Sequence, residues 1–342
     1  MSTHQLTERP SRSMLFDGLA RYIPIGATVA LLLALYGGGV ANYPKFDSPQ
    51  VIAKLFIDNA PLLVIAVGMT FVILSGGIDL SVGSVMAFAT MACAWLTVDA
   101  GISAPLAVAL VLAFGTAWGL LIGAVIHYFD VQPFIATLVG LFLFRGLTLQ
   151  ISDTDVSMRD VEFFQWGMVH AVDVGEIRDG GFWLPNLSFV AFAVVIVAFT
   201  VLHYTRFGRG VYAVGGSESS ALLMGLPVAR TKIGVYAVSG FCAALAGVLA
   251  AFATKSANPL ANVGAELDAI AAVVIGGTLL TGGAGFVLGT VAGVMVWGML
   301  NTLIAFQGNL SSWWARIAMG VLLLAFILLQ RVLARSGEKR RT

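Results

Sequence analysis

An all-α, polytopic membrane protein is the fold class this sequence predicts, and three observations predict it. Its 342 residues are 58% hydrophobic and only 11% charged, against about 25% charged in soluble domains. The apolar residues come in long uncharged runs, at 59–78, 80–98, 100–129, 186–204, 233–254 and 269–315. The charges gather between those runs, as they must when roughly 20 consecutive apolar residues are needed to cross about 30 Å of hydrocarbon. The net charge of +1 gives no reason to expect nucleic acid as a partner. Cys93 and Cys242 both lie inside apolar runs and read as small buried hydrophobes, not as disulfide partners or metal ligands. No small-residue cleavage site follows an early apolar run, so no removable leader is expected.

Taken in order, residues 1–21 form a polar tail, 22–333 a single transmembrane domain with about 10 helices, and 334–342 a basic tail. The first span covers roughly 22–40 and leaves through Gly37-Gly38-Gly39. A short segment, 49–57, reads as interfacial, with Lys54 and Asp58 at its edges. Spans two and three meet at Ser75-Gly76-Gly77-Ile78-Asp79-Leu80-Ser81, where the glycines relax one helix end and Asp79 or Ser81 can cap the next. Span four, within 100–129, carries Gly115, Gly119 and Gly123 at intervals of four, a stripe that admits a neighbouring backbone. Span five starts near Pro133, suited to a first helical turn, and carries Arg145.

The insertion 151–185 holds seven acidic residues against Arg159 and Arg178. Span six is about 186–204, a basic loop covers 205–232, and span seven is about 233–254. The uncharged run 269–315 has 47 residues, too many for one helix. Its cluster Gly282-Gly283-Ala284-Gly285 divides it into spans eight and nine, and span nine carries the stripe Gly285, Gly289 and Gly293. Span ten is about 311–333.

Ten spans put both termini on one side, and basic residues set the orientation. The side with the termini and loop 205–232 carries 12 Lys and Arg residues and the other side 5. The termini are therefore expected in the cytoplasm and the acidic insertion outside.

Loop 205–232 is informative locally. Ser217 reads as an N-cap, Glu218 complements the helix dipole, Gly225 reads as the C′ residue and Pro227 stops continuation. That frames a helix of about two turns whose Leu222, Leu223 and Met224 would lie outside the hydrocarbon. Exposed apolar residues on a capped helix suggest a docking surface. A helix resting on the lipid interface is the other reading, and the residues alone leave both open.

Asp79 reads as a helix cap or as a group on a solute path or gate, together with Gly76, Gly77 and Ser81. Arg145 lies deep in span five, where it could meet a solute or pair with Glu266 or Asp268. Arg316 is expected to snorkel. Glu266 and Asp268 suit the start of span eight. His127, His170 and His203 show no ligand spacing. The glycines at 283, 285 and 289 mimic a dinucleotide fingerprint but follow no strand, and no G-x-x-x-x-G-K-[S/T] occurs anywhere. ATP, if it drives the process, must be bound by another chain.

The residues Gly68-Met69-Thr70-Phe71-Val72-Ile73, then Gly76-Gly77-Ile78-Asp79-Leu80-Ser81-Val82-Gly83-Ser84, closely resemble the permease subunits of sugar-importing ATP-binding-cassette (ABC) transporters. The group is the one that carries ribose, arabinose, xylose and galactose, and the likeness is strongest to galactofuranose importer permeases. It covers roughly residues 50–333 and includes Glu266–Ala271 and Val274–Thr278. The resemblance implies a multi-pass inner-membrane subunit with no cofactor of its own. It implies a cytoplasmic ATPase holding ATP and Mg, an external or periplasmic sugar-binding protein, and a second permease, identical or homologous. It also makes Ser217, Glu218, Leu222, Leu223, Met224 and Gly225 the coupling helix that sits in a cleft of the ATPase. An ion-coupled secondary transporter using Asp79 and Arg145 is the rival reading. An intramembrane enzyme is disfavoured, because no Ser/His, Cys/His or paired-carboxylate set shares a span.

Overall fold

The computed structural model describes residues 23–174, 182–311 and 313–338. The tail 1–21 and residues 339–342, with the basic residues counted there, lie outside the described residues, as do Glu176, Arg178 and Asp179. Twelve α-helices are present among the described residues: α1 (Ile23–Asn42), α2 (Pro49–Leu74), α3 (Val82–Val98), α4 (Ala104–Tyr128), α5 (Pro133–Ile151), α6 (Asn186–Tyr204), α7 (Arg206–Gly216), α8 (Glu218–Leu223), α9 (Val228–Thr254), α10 (Ala265–Ile275), α11 (Val287–Gln307) and α12 (Trp313–Glu338). Eight are long and apolar enough to cross a membrane, α3 is apolar but shorter, and α10 is shorter still.

The expected ten spans thus resolve into eight long helices, one of 17 residues and one of 11. At 1.5 Å per residue α10 covers about 16 Å, half a bilayer. Gly276 ends it, and Gly277, Gly282 and Gly283 hold the following turn at positive φ. The segment 49–57 is not a separate interfacial piece. It is the first part of α2, with Ser48 at the N-cap and Pro49 in the first turn. Lys54 and Asp58, one turn apart, pair at 2.8 Å on its exposed face, so the charges do not interrupt it. The last helix runs on to Glu338, past the expected boundary at 333.

α2 is the axle of the bundle, buried along almost its whole length from Asn59 to Leu74. It packs with α9, α11 and α10 around one apolar core. Small residues set the spacing, which suits a membrane interior where no hydrophobic force presses helices together. A Cβ on Gly115 would lie 2.6 Å from the Gly240 carbonyl, on Gly119 2.1 Å from the Tyr236 carbonyl, and on Gly123 2.8 Å from Ile233 Cα. The stripe on α4 is therefore the seam against α9. Gly289 and Gly293 bring α11 onto the Gly276 and Ala272 carbonyls of the α10 end, whereas Gly285 precedes α11 and packs on Thr278 in the turn.

The described parts of the acidic insertion, 151–174 and 182–185, are folded. β1 (Val156–Ser157) pairs antiparallel with β4 (Ser256–Ala257), and β2 (His170–Val174) with β3 (Phe182–Pro185). A 3₁₀ helix, Glu162–Met168, lies between them. Phe163, Phe164 and Trp166 stack around Phe252 at the end of α9, which anchors the insertion to the bundle.

Candidate functional site

The chain leaves α6 through Thr205, whose side chain caps α7 by accepting from the Gly208 N–H at 3.2 Å. Most of the loop 205–232 is thus helical. Ser217 ends α7 in an extended conformation and caps α8, its hydroxyl accepting from the Ser220 N–H at 3.2 Å. Glu218 is held by Lys232 at 2.6 Å, which ties α8 to the first turn of α9. At the other end Gly225 takes φ +74°. Its N–H donates to the Leu222 carbonyl at 2.9 Å and the Leu226 N–H to the Ala221 carbonyl at 3.1 Å, the paired bonds of a Schellman close. Ala221 is fully buried with Val214 and Val228. Leu222, Leu223 and Met224 point away, 65%, 88% and 67% exposed. Six residues make a helix of under two turns, presenting apolar side chains from a braced frame.

At the end of α7 three glycine-bearing segments meet. The Gly283 N–H donates to the Leu74 carbonyl at 2.9 Å. A Cβ on Gly215 would fall 1.8 Å from that same carbonyl oxygen, and one on Gly282 would fall 2.8 Å from the Gly76 nitrogen and 2.9 Å from the Gly215 carbonyl. The end of α7, the α2–α3 break and the α10–α11 turn therefore touch backbone to backbone. The Tyr212 hydroxyl adds a 2.9 Å bond to the Gly285 carbonyl. Gly76 and Gly77 belong to this junction, Gly76 through its positive φ of 84°.

Asp79 is buried just beyond it, 3% exposed. Its Oδ1 accepts from the Ser81 N–H at 2.9 Å and the Ser81 hydroxyl at 2.6 Å, and its Oδ2 from the Ser239 hydroxyl of α9 at 2.8 Å. The expected helix cap is corrected here. Ser81 occupies the N-cap position of α3 with no side-chain cap bond, and Asp79 sits two residues upstream in an Asx turn. The carboxylate closes that turn and pins it to α9. Two other buried oxygens, Tyr236 Oη against Gly77 and Glu266 Oε2 against Gly83, have no hydrogen-bond partner among the described residues.

Arg145 forks onto two backbone carbonyls, Ala261 and Asn262, each at 2.8 Å. It pins the loop before α10, a role with no sequence signature. Arg316 reaches the Val263 carbonyl at 3.2 Å and lies over the Trp313 ring, 5.1 Å from its centroid. The structure thus brings Gly76, Gly77, Asp79 and Ser81 together beside the end of α7, whereas Arg145, on α5, holds a different loop. Among the described residues no group of three His, Cys, Asp or Glu side chains could hold a metal.

Residues 51–327 match the family described as branched-chain amino acid transport system / permease component. The chain belongs to this permease family. The permease is 43% identical over 324 residues to the inner membrane ABC transporter permease protein YjfF of Escherichia coli, covering 95% of this chain and 96% of the relative. It is 39% identical over 347 residues to the fructose import permease protein FruG of Bifidobacterium longum, 99% of each chain. It is 36% identical over 334 residues to the ribose import permease protein RbsC of Bacillus subtilis, 97% and 99% of the two chains. No solved structure matches.

Proposed function

We propose that this permease is the membrane subunit of an ABC importer for a monosaccharide, driven by ATP hydrolysis on a partner chain. The observation that carries the reading is α8: a short helix capped at both ends, tied to α9 by Glu218 and Lys232, presenting Leu222, Leu223 and Met224 outward. Such a patch suits insertion into a dry protein cleft, here that of a cytoplasmic ATPase that binds ATP and Mg. Ala221 of α8 packs on Val214 of α7, and the end of α7 touches the glycine junction, which gives a physical route from that cleft to the broken helices of the bundle. An ABC importer permease also works with an external sugar-binding protein and with a second permease, a copy of this chain or a homologue.

The relatives favour sugar as cargo. Curated permeases named for fructose, ribose and allose match at 39%, 36% and 32% identity over nearly the full chain. The likeness of the 68–84 stretch to galactofuranose importers adds galactofuranose to the candidates. The excess of basic residues in the sequence around the termini and α7–α9 supports a cytoplasmic position for that end. An ion-coupled transporter is less favoured, because Asp79 is already engaged by Ser81 and Ser239 and Arg145 by the carbonyls at 261 and 262.

The test is reconstitution in proteoliposomes with the ATPase and binding protein purified alongside the chain. Uptake should need ATP on the α8 side and persist when proton and sodium gradients are collapsed. Gradient-driven uptake by the chain alone would replace this reading with the secondary transporter.

A further inference from the structure

At the end of the bundle away from α8, where α9 finishes and α12 begins, lies a cavity of about 570 Å³. Small-molecule sites run from about 300 to 1,000 Å³. Its lining runs from the buried Ile65 of α2 and Met86 of α3 to the exposed Trp313. Asn262 and Asp268 line it, and neither side chain hydrogen-bonds any described residue, so their polar atoms are available to a guest. The Asn262 backbone is fixed at φ +59°, and its carbonyl is one of the two held by Arg145. Trp297 and Trp313 also line it.

Each acidic group of the lining has a cation near it. Asp58 is paired with Lys54 at 2.8 Å, and Arg316 stands in electrostatic reach of Asp268. A site whose charges are already balanced suits a neutral guest. A free amino acid would bring an ammonium and a carboxylate that find no unmatched partners there, and burying such charges is costly. A carboxamide and a carboxylate instead offer the paired acceptor and donor atoms that ring hydroxyls need, and indole faces cover the C–H surface of a sugar ring.

We propose that this cavity, with Asn262, Asp268, Trp297 and Trp313 as its contact residues, receives one neutral monosaccharide on its way through the permease. The proposal rests on the importer reading, which sets this end outside.

The experiment uses the reconstituted importer with D-ribose, D-fructose and D-allose as probes. Asn262→Cys is labelled from outside with a membrane-impermeant maleimide, Cys93 and Cys242 being buried. The sugar that is taken up should slow labelling several-fold, and a non-transported sugar of the set should not. Asn262→Ala and Asp268→Asn should each raise the KM for uptake by about tenfold or more, the scale of losing a hydroxyl partner, while the chain still copurifies with its ATPase. Trp313→Phe should restore most of what Trp313→Ala loses. With ATP-driven uptake intact, unprotected labelling or an unchanged KM in both polar variants overturns the cavity alone. Loss of labelling through contact with a second permease copy, shown by crosslinking at the same cysteine, would also overturn it. Uptake that ignores ATP would overturn the importer reading instead.

Discussion

The Ser239 hydroxyl donates to Asp79 Oδ2 at 2.8 Å, joining the break between α2 and α3 to a helix 160 residues further along the chain. Together with the two bonds from Ser81, this makes the carboxylate a structural pin at the one place where the most buried helix stops.

Replacing the carboxylate tests that role. Asp79→Asn keeps an acceptor for Ser81 and an amide that Ser239 can accept from, so folding and uptake should be close to normal. Asp79→Ala leaves buried hydroxyls unpaired and should lose about 1–3 kcal/mol, read as a lower melting temperature in detergent. A stable, correctly inserted Asp79→Asn without transport would assign the charge itself a part in the cycle.

Gly215→Ala places a methyl 1.8 Å from the Leu74 carbonyl, with peptide backbone on both sides of the clash. Overpacking of this kind costs about 1–3 kcal/mol. The expected phenotype is an assembled complex that hydrolyses ATP and moves little sugar. Gly216→Ala, with nothing within 4 Å of its Cβ, is the matched control and should behave as wild type. Equal behaviour of the two variants would remove the junction from the coupling route.

Leu223 is 88% exposed, so Leu223→Glu should change the stability of the chain by less than about 0.5 kcal/mol. In a dry ATPase cleft the same carboxylate costs several kcal/mol. The variant should reach the membrane and fail to retain its ATPase in pull-down. Retention with full ATP-dependent uptake would return α8 to the lipid interface.

Sidedness can be read with single cysteines. Asp155→Cys in the insertion should react with an impermeant reagent from outside, and Ser219→Cys only from the cytoplasmic side. Labelling of both from one side would reverse or break the assigned topology.

The frame of α8 was legible because every signal in it is local: Ser217, Glu218, Gly225 and Pro227 lie within eleven residues. The break at Gly76-Gly77 was legible for the same reason. The pairing of α4 with α9 was half legible, since the stripe at 115, 119 and 123 announces a close neighbour without naming it. The partners of Asp79 and Arg145 were not legible. One is a serine in a distant span and the others are carbonyls, which every residue carries. The interfacial segment at 49–57 was misplaced because a charge pair one turn apart resembles a boundary when read linearly. In the insertion, Phe163, Phe164 and Trp166 were the overlooked sign that an acidic stretch was anchored to the bundle.

The meeting of Leu74, Gly76, Gly215 and Gly283 has a consequence for how such a machine can change over generations. Its contacts are made by peptide groups, so no side chain there can be traded for another, and none can act as a soft cushion. A displacement of α8 would reach both broken helices with the stiffness of the main chain itself. Cargo preference, set at the far end by ordinary side chains, can then drift freely while the transmission stays the same part, reusable with one sugar after another.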